Sequence, residues 1–269
     1  HEFVDFCRRV GAEPFYCVNF ESDGRKNWAR PPMGGVRSAG PREAAEWVDY
    51  CNNPSNRERK RNGAAEPFNL KLWQLGNETS YDRNGFDCDT AARRTIAFAR
   101  AMRKVDPDLK FIGWGDSGWA PRMLEIAGEH IDYIAYHTGY RTTLKGTPPF
   151  GDDEYRKNPD AVWRHLMTGV TWAAARLKTM REQVEPYGMP IALTEGHYGF
   201  KGRNRGDLLA TWAVGVAYAR IFNHYQRNGD ILKIATLADF CGTRWTNNAI
   251  MMQIPGRRTY MMPVARMLS

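Results

Sequence analysis

The sequence predicts an α/β fold, a (β/α)8 barrel of which six strands leave a signal, and three observations predict it. First, short apolar runs alternate with amphipathic helical stretches along all 269 residues, the order that builds a parallel sheet covered by helices. Second, no Gly-x-Gly-x-x-Gly follows the first strand, so the main signature of an open dinucleotide-binding sheet is missing. Third, polar and aromatic residues collect where the strands end, at Asn19, Asn77-Glu78, Asp116, His137, Glu195 and Asp239. That rim is where a β/α barrel assembles its active site from several strands.

The elements follow in order. Phe3, Val4, Phe6, Cys7 and Val10 make a helical face that stops at Gly11. Phe15-Tyr16-Cys17-Val18-Asn19 then suits a buried strand. Gly40-Pro41 opens a helix over 42–51, because proline fits the first turn. A polar, basic stretch runs to Asn69, and 70–76 is the next strand. An Ala/Arg-rich helix over 90–105 closes at Asp106-Pro107, and 110–114 is a strand. Helix 121–128 precedes strand 131–137. One long helical region over 161–185 leads through Tyr187-Gly188 to strand 190–194. Helix 208–227 ends at Asn228-Gly229, and 231–237 is the last clear strand.

Composition excludes several classes. Hydrophobic residues make up 42% and charged residues 25%, which is globular rather than disordered. No apolar run approaches the roughly 20 residues of a membrane-spanning helix, and no signal-peptide pattern opens the chain. The chain begins with His1 rather than Met, so a missing N-terminus is expected and the compartment, cytoplasmic or secreted, stays undefined. A net charge of +8 raises nucleic-acid binding. However, the basic runs Arg57 to Arg61 and Lys201 to Arg205 read as solvated loops, with no recognition helix or aromatic RNA-binding signature beside them. The five cysteines are scattered without a Cys-x-x-Cys pair, which argues against a metal site or a disulfide framework and weakly for a reducing compartment. Cys7 and Cys17 read as small buried hydrophobes.

Two motifs carry chemistry. Lys71 to Gly76 is a strand that ends on Asn77-Glu78, and Ile191 to Thr194 is a strand that ends on Glu195, followed by Gly196-His197-Tyr198. Either alone is equally a helix cap or an arginine partner, since a buried strand end does not hold an unpaired charge without cost. Together, two strand-end glutamates on one rim with aromatics nearby are what double-displacement glycoside hydrolysis requires. One carboxyl protonates the leaving oxygen while the other attacks the anomeric carbon about 5 Å away. The acid of such a pair needs a raised pKa, which desolvation and a neighbouring negative charge supply.

With these residues the sequence resembles the catalytic barrel of glycoside hydrolase family 51, the α-L-arabinofuranosidases, in the clan with catalytic glutamates on strands four and seven. Phe6-Cys7-Arg8-Arg9-Val10-Gly11-Ala12-Glu13-Pro14 is similar to the family's helix leading into its third strand. Glu43 to Asn52 is similar to the helix that follows, and Leu75-Gly76-Asn77-Glu78 to the acid/base motif. The resemblance implies that strands three to eight are present over 1–269, that the first two strands and a β-sandwich domain are absent, and that Glu78 is acid/base and Glu195 nucleophile. It further implies that Asn77 bonds the sugar 2-hydroxyl and that His137 positions a catalytic carboxyl; a structural histidine is the plainer alternative for the latter. Trp245 would be a sugar platform, Tyr198 would orient Glu195, and Tyr140 and Asn19 would complete the substrate-binding set. For Trp28, Trp114 and Trp119, core packing is as good a reading as substrate contact.

The sequence also departs from the family. Thr194-Glu195-Gly196 stands where the family usually has Asp-Glu-Trp. A tyrosine usually lies two residues after the strand-six histidine, whereas here Gly139 precedes Tyr140, and Ala238-Asp239 aligns with the family's Ala-Gln. The implied activity is retaining hydrolysis of plant-type oligo- or polysaccharides, with terminal α-L-arabinofuranosides as the best single substrate and neither metal nor organic cofactor. A β-xylosidase or endoglucanase of the same clan is the enzyme alternative, and a non-catalytic carbohydrate-binding barrel the other. The expected partner is carbohydrate, with no nucleic acid and no membrane, and homo-oligomerisation of the full-length protein stays open.

Overall fold

The computed structural model describes residues 1–20, 40–81, 87–200, 205–238, 240–242, 249–252 and 258–269. The fold is α/β, that of an incomplete (β/α)8 barrel. Strands β1 (Phe15–Cys17), β2 (Leu72–Leu75), β3 (Lys110–Trp114), β4 (Tyr133–Tyr140), β5 (Ile191–Tyr198) and β6 (Leu232–Leu237) lie in one sheet in the order of the sequence. The pairs β1–β2, β2–β3, β3–β4 and β5–β6 are parallel. A doubly wound sheet reverses its strand order at a switch point; this one does not.

The chain divides into two compact units, His1–Ala135 with Pro186–Met189, and Tyr136–Glu185 with Pro190–Ser269. The first holds α1 (Glu2–Arg9), α2 (Pro41–Asn52), α3 (Arg57–Arg61), α4 (Cys88–Arg103) and α5 (Ala120–Ala127) with β1 to β3 and the start of β4. Pro41 occupies the first turn of α2. The Asp87 side chain caps α4 by accepting the Thr90 N–H at 2.6 Å, and that bond lowers the Asp87 carboxyl pKa. Trp73, Leu75, Phe111, Ile112 and Ile134 are buried, as are Phe98, Ala99 and Met102 of α4 and Met123 of α5. These strands are apolar on both faces, as a helix-covered parallel sheet requires.

Charged groups tie down the amino ends of the strands. Just before β2, Asn52 bonds the Leu70 backbone in both directions at 2.7 and 2.8 Å. Asp106 takes Lys71 Nζ at 2.6 Å and Asn52 at 2.7 Å. Burial alone would raise the Asp106 carboxyl, but these hydrogen bonds outweigh it and hold it below its ordinary value. Asp132, ahead of β4, collects Arg103, Lys110 and the Phe111 N–H at 2.8 to 2.9 Å. The amino ends are thus committed to stability, and the opposite ends are left for chemistry.

The second unit holds the rest of β4, then α6 (Glu154–Lys157), α7 (Pro159–Met167), α8 (Gly169–Val184), β5, α9 (Arg205–Leu209), α10 (Trp212–Arg227) and β6. A small sheet, β7 (Cys241–Gly242), β8 (Ile250–Met251) and β9 (Tyr260–Met261), precedes α11 (Pro263–Leu268). Among the described residues no helix is long and apolar enough to cross a membrane.

The structure corrects several expectations. Arg57 to Arg61 is a helix, not a solvated loop, and Arg59 is fully buried. Its guanidinium donates to the carbonyls of Asn53 and Tyr50 at 2.6 and 3.0 Å and to those of Ala64 and Ala65 at 3.4 Å. The run therefore contributes one structural arginine between exposed neighbours. The helical region expected over 161–185 is broken at Thr168. The Thr168 hydroxyl gives its one proton to the His165 carbonyl at 2.8 Å, so it accepts from Thr142, at 3.0 Å. Thr142 in turn accepts from His165 Nδ1 at 2.7 Å, which fixes the proton on that nitrogen. Cys17 is exposed rather than buried, whereas Cys7 is buried, and none of the five cysteines forms a disulfide. Most of Lys201 to Arg205 lies outside the described residues.

Candidate active site

At the carboxyl end of β2 the backbone turns sharply. Gly76 has φ +93°, and a Cβ there would lie 2.7 Å from Thr79 Oγ1, so glycine is needed for both torsion and space. The Gln74 side chain reaches forward to donate to the Gly76 carbonyl at 2.9 Å. Two residues later Glu78 is itself left-handed, with φ +55°. A non-glycine residue pays about 1 kcal/mol or more for that conformation, and it persists only where the surroundings enforce it. A 3-10 turn over Thr79–Tyr81 follows, and the Tyr81 N–H closes onto the Glu78 carbonyl at 2.7 Å. Asn77 is exposed and Glu78 half-buried, so the Asn-Glu pair stands on a kinked ledge rather than in the strand. In the same unit, Asn19 is exposed two residues past β1.

In the second unit the geometry differs, because β4 and β5 run three and four residues past their expected ends. His137 and Glu195 accordingly lie inside strands. Along β5 burial alternates: Thr194, Gly196 and Tyr198 are buried, and Glu195 and His197 are half-exposed on the other face. His137 is only 4% exposed. Its Nε2 lies 3.0 Å from Thr194 Oγ1 and its Nδ1 lies 3.7 Å from Glu195 Oε2. When Nε2 accepts the Thr194 hydroxyl proton, Nδ1 carries the N–H that faces the carboxylate. Thr194 is held in turn: its carbonyl accepts the Thr236 hydroxyl from β6 at 2.5 Å. Glu195 thus has a buried imidazole at its side, itself fixed by the residue before it.

Two expected site residues face elsewhere. Tyr198 donates its hydroxyl proton to the Leu166 carbonyl at 2.9 Å, so it has none to give Glu195, and alternation puts it on the opposite face. Tyr140 is 2% exposed and offers no face to a sugar. It packs edge-on against Tyr198 and Tyr218 at 5.3 and 5.6 Å, and burial, reinforced by Tyr218, raises its phenol well above the ordinary value. Both tyrosines belong to the packing between β5 and the helices. Trp114 is also core, 1% exposed. Trp28, Trp245 and Asp239 lie outside the described residues.

The sequence reading missed Thr194 as the residue that holds His137 and saw it only as a departure from Asp-Glu-Trp. The period-2 spacing from Glu195 to His197, and from Thr194 to Tyr198, was the signal that could have sorted the faces.

Comparison with known proteins gives these residues a context. The chain is similar to an intracellular exo-α-(1→5)-L-arabinofuranosidase of Acetivibrio thermocellus, 29% identical over 164 residues that cover 56% of this chain and 29% of that protein. It is 32% identical over 125 residues to a probable α-L-arabinofuranosidase C of Aspergillus flavus, covering 44% of this chain and 22% of that one. Among solved structures it resembles the family 51 α-L-arabinofuranosidase of Thermotoga petrophila, with TM-score 0.72 and 25% identity, over 99% of this chain and 50% of that chain. The chain therefore spans half the length of that solved relative and under a third of the two curated ones. Residues 1–156, which carry β1 to β4 and the Glu78 ledge, match the model of the α-L-arabinofuranosidase 1 domain, and the chain belongs to that family.

Proposed function

We propose that the protein is a retaining glycoside hydrolase that removes terminal α-L-arabinofuranosyl residues from plant-type oligo- or polysaccharides. In the first step a Glu195 oxygen attacks the anomeric carbon as the glycosidic C–O bond breaks, and Glu78 gives its proton to the departing oxygen. In the second, Glu78 takes a proton from water, the water oxygen attacks the same carbon, and Glu195 leaves. Asn77 hydrogen-bonds the sugar 2-hydroxyl, a contact that tightens as positive charge develops on the ring. The sugar platform falls to Trp245, and Asn19 adds a polar contact from the end of β1. His137 holds the Glu195 carboxylate in its attacking rotamer.

One observation carries the reading: in a chain of this family, two glutamates sit at or beyond the carboxyl halves of strands in one parallel sheet, each held by its own local device. Glu78 stands on an enforced left-handed backbone, and Glu195 beside a buried histidine. The test is hydrolysis of p-nitrophenyl α-L-arabinofuranoside by the full-length protein, with Glu78→Gln and Glu195→Gln alongside. Both variants are expected to lose about 10²-fold or more in kcat/KM while staying folded. A folded wild type inert on this substrate would remove the arabinose assignment, and full activity in either variant would remove the assigned role.

A further inference from the structure

The turn that carries Glu78 is bonded to the end of the neighbouring strand by side chains from both. Beyond β3, the Asp116 side chain is 1% exposed. Its Oδ1 accepts the Ser117 N–H at 2.6 Å, and its Oδ2 accepts the Tyr81 hydroxyl. Ser80 sits in the middle: it accepts the Trp114 indole N–H at 2.9 Å and donates to Ser117 Oγ at 3.1 Å. The Tyr81 ring stands edge-on to Trp114, at 5.6 Å and 90°. The second and third residues of the turn after Glu78 are therefore both bonded to the end of β3, and the Tyr81 N–H returns to the Glu78 carbonyl.

Backbone torsions give this clamp its meaning. Glu78 and Ser117, one on each side of it, have φ of +55° and +61°. Non-glycine residues relax out of that region unless something holds them. A half-buried carboxyl on a relaxing turn would shift with it, whereas proton donation requires it within hydrogen-bond reach of the leaving oxygen. A misplacement of about 1 Å is enough to cost about 10²-fold in rate.

We propose that Tyr81 and Asp116 are positioning residues for Glu78, and that their hydrogen bond fixes the turn from which the acid reaches the glycosidic oxygen. This rests on the assignment of Glu78 as acid/base. Neither residue touches substrate in this account; both act through the backbone of residues 78–81. Their loss should therefore be felt where protonation of the leaving group limits the rate, and little where it does not.

The experiment compares kcat/KM of the full-length protein on two arabinofuranosides: the 2,4-dinitrophenyl glycoside, whose leaving group needs almost no proton, and α-1,5-arabinobiose, whose alcohol leaving group needs one. Tyr81→Phe keeps the ring on Trp114 and removes only the hydroxyl; Asp116→Asn is the partner variant, and Glu78→Ala the reference for loss of the acid. The expected result is a loss of about tenfold or more on arabinobiose for both positioning variants. On the dinitrophenyl glycoside the change should stay within about threefold, with unaltered circular dichroism. Equal losses on both substrates would mean a merely structural pair and overturn the proposal, as would no loss on either. Glu78→Ala separates the two layers. If it is selective for leaving group and Tyr81→Phe is not, only the clamp falls. If it is not selective, the acid assignment falls and the clamp with it.

Discussion

Arg59 brings a full positive charge to a place with no solvent exposure and answers it with backbone carbonyls from 50 to 65. Removing one partner of a buried polar set leaves the rest unsatisfied, which costs more than the set contributed. Arg59→Met is therefore expected to destabilise the protein by roughly 3 kcal/mol or more, read from the midpoint of urea unfolding; a change below ~1 kcal/mol would mean that water replaces the guanidinium. Tyr198 is the converse case. Because its proton goes to Leu166 rather than Glu195, Tyr198→Phe should cost about 1 kcal/mol of stability and leave kcat within about twofold. A large fall in kcat with unchanged stability would restore the role first expected for this tyrosine. At this scale the two glutamates stood out as candidates because acids are conspicuous where apolar runs stop. The facing of Tyr198 and the burial of Arg59 were not. A strand buried on both faces hides its alternation, and a charge run conceals the one member that turns inward.

At the scale of elements, the strand and helix order was legible from periodicity, and what escaped was set by side-chain hydrogen bonds. The break between α7 and α8 depends on Thr168, Thr142 and His165, three residues in two segments that no helical pattern joins. The sheet of β7 to β9 consists of two-residue strands, too short to show a period of two. His165 also makes the element sensitive to pH. Burial, helped by Arg164, lowers its pKa from the ordinary 6.5, and burial does the same for His130 and His224. Between those lowered values and 6.5 the unfolded chain binds more protons than the folded one, so stability falls as pH drops below about 6.5 and is fully present above it. Melting temperature measured from pH 7.5 to 5 should decline, and His165→Asn should flatten part of that decline. A melting temperature that rises on acidification would contradict the assignment.

For the whole molecule, the decisive feature is that β1 and β6 end the sheet of the described residues, each with a strand on one side only. Open edges of a parallel sheet invite pairing with other chains, and a barrel removes them only by closing. If these edges stay open in solution, residues 1–269 are expected to associate with rising concentration, seen by light scattering. A monodisperse 1–269 would show that the open edges are tolerated. The fold class was legible at this scale because six strand signals in a row, without a phosphate-binding glycine turn, leave few topologies. The proposed sugar rests on family resemblance alone, since the residues that would choose it surround the glutamates rather than form a pattern.

The contact between Tyr140 and Gly196 has a consequence for redesign of β5. A Cβ on Gly196 would lie 2.2 Å from the Tyr140 hydroxyl and 3.0 Å from its Cζ, so any side chain at 196 has to displace that ring. The two positions are therefore coupled, and a bulkier residue at 196 calls for a smaller one at 140. A double substitution that shrinks Tyr140 and enlarges Gly196 should keep a higher melting temperature than the change at 196 alone.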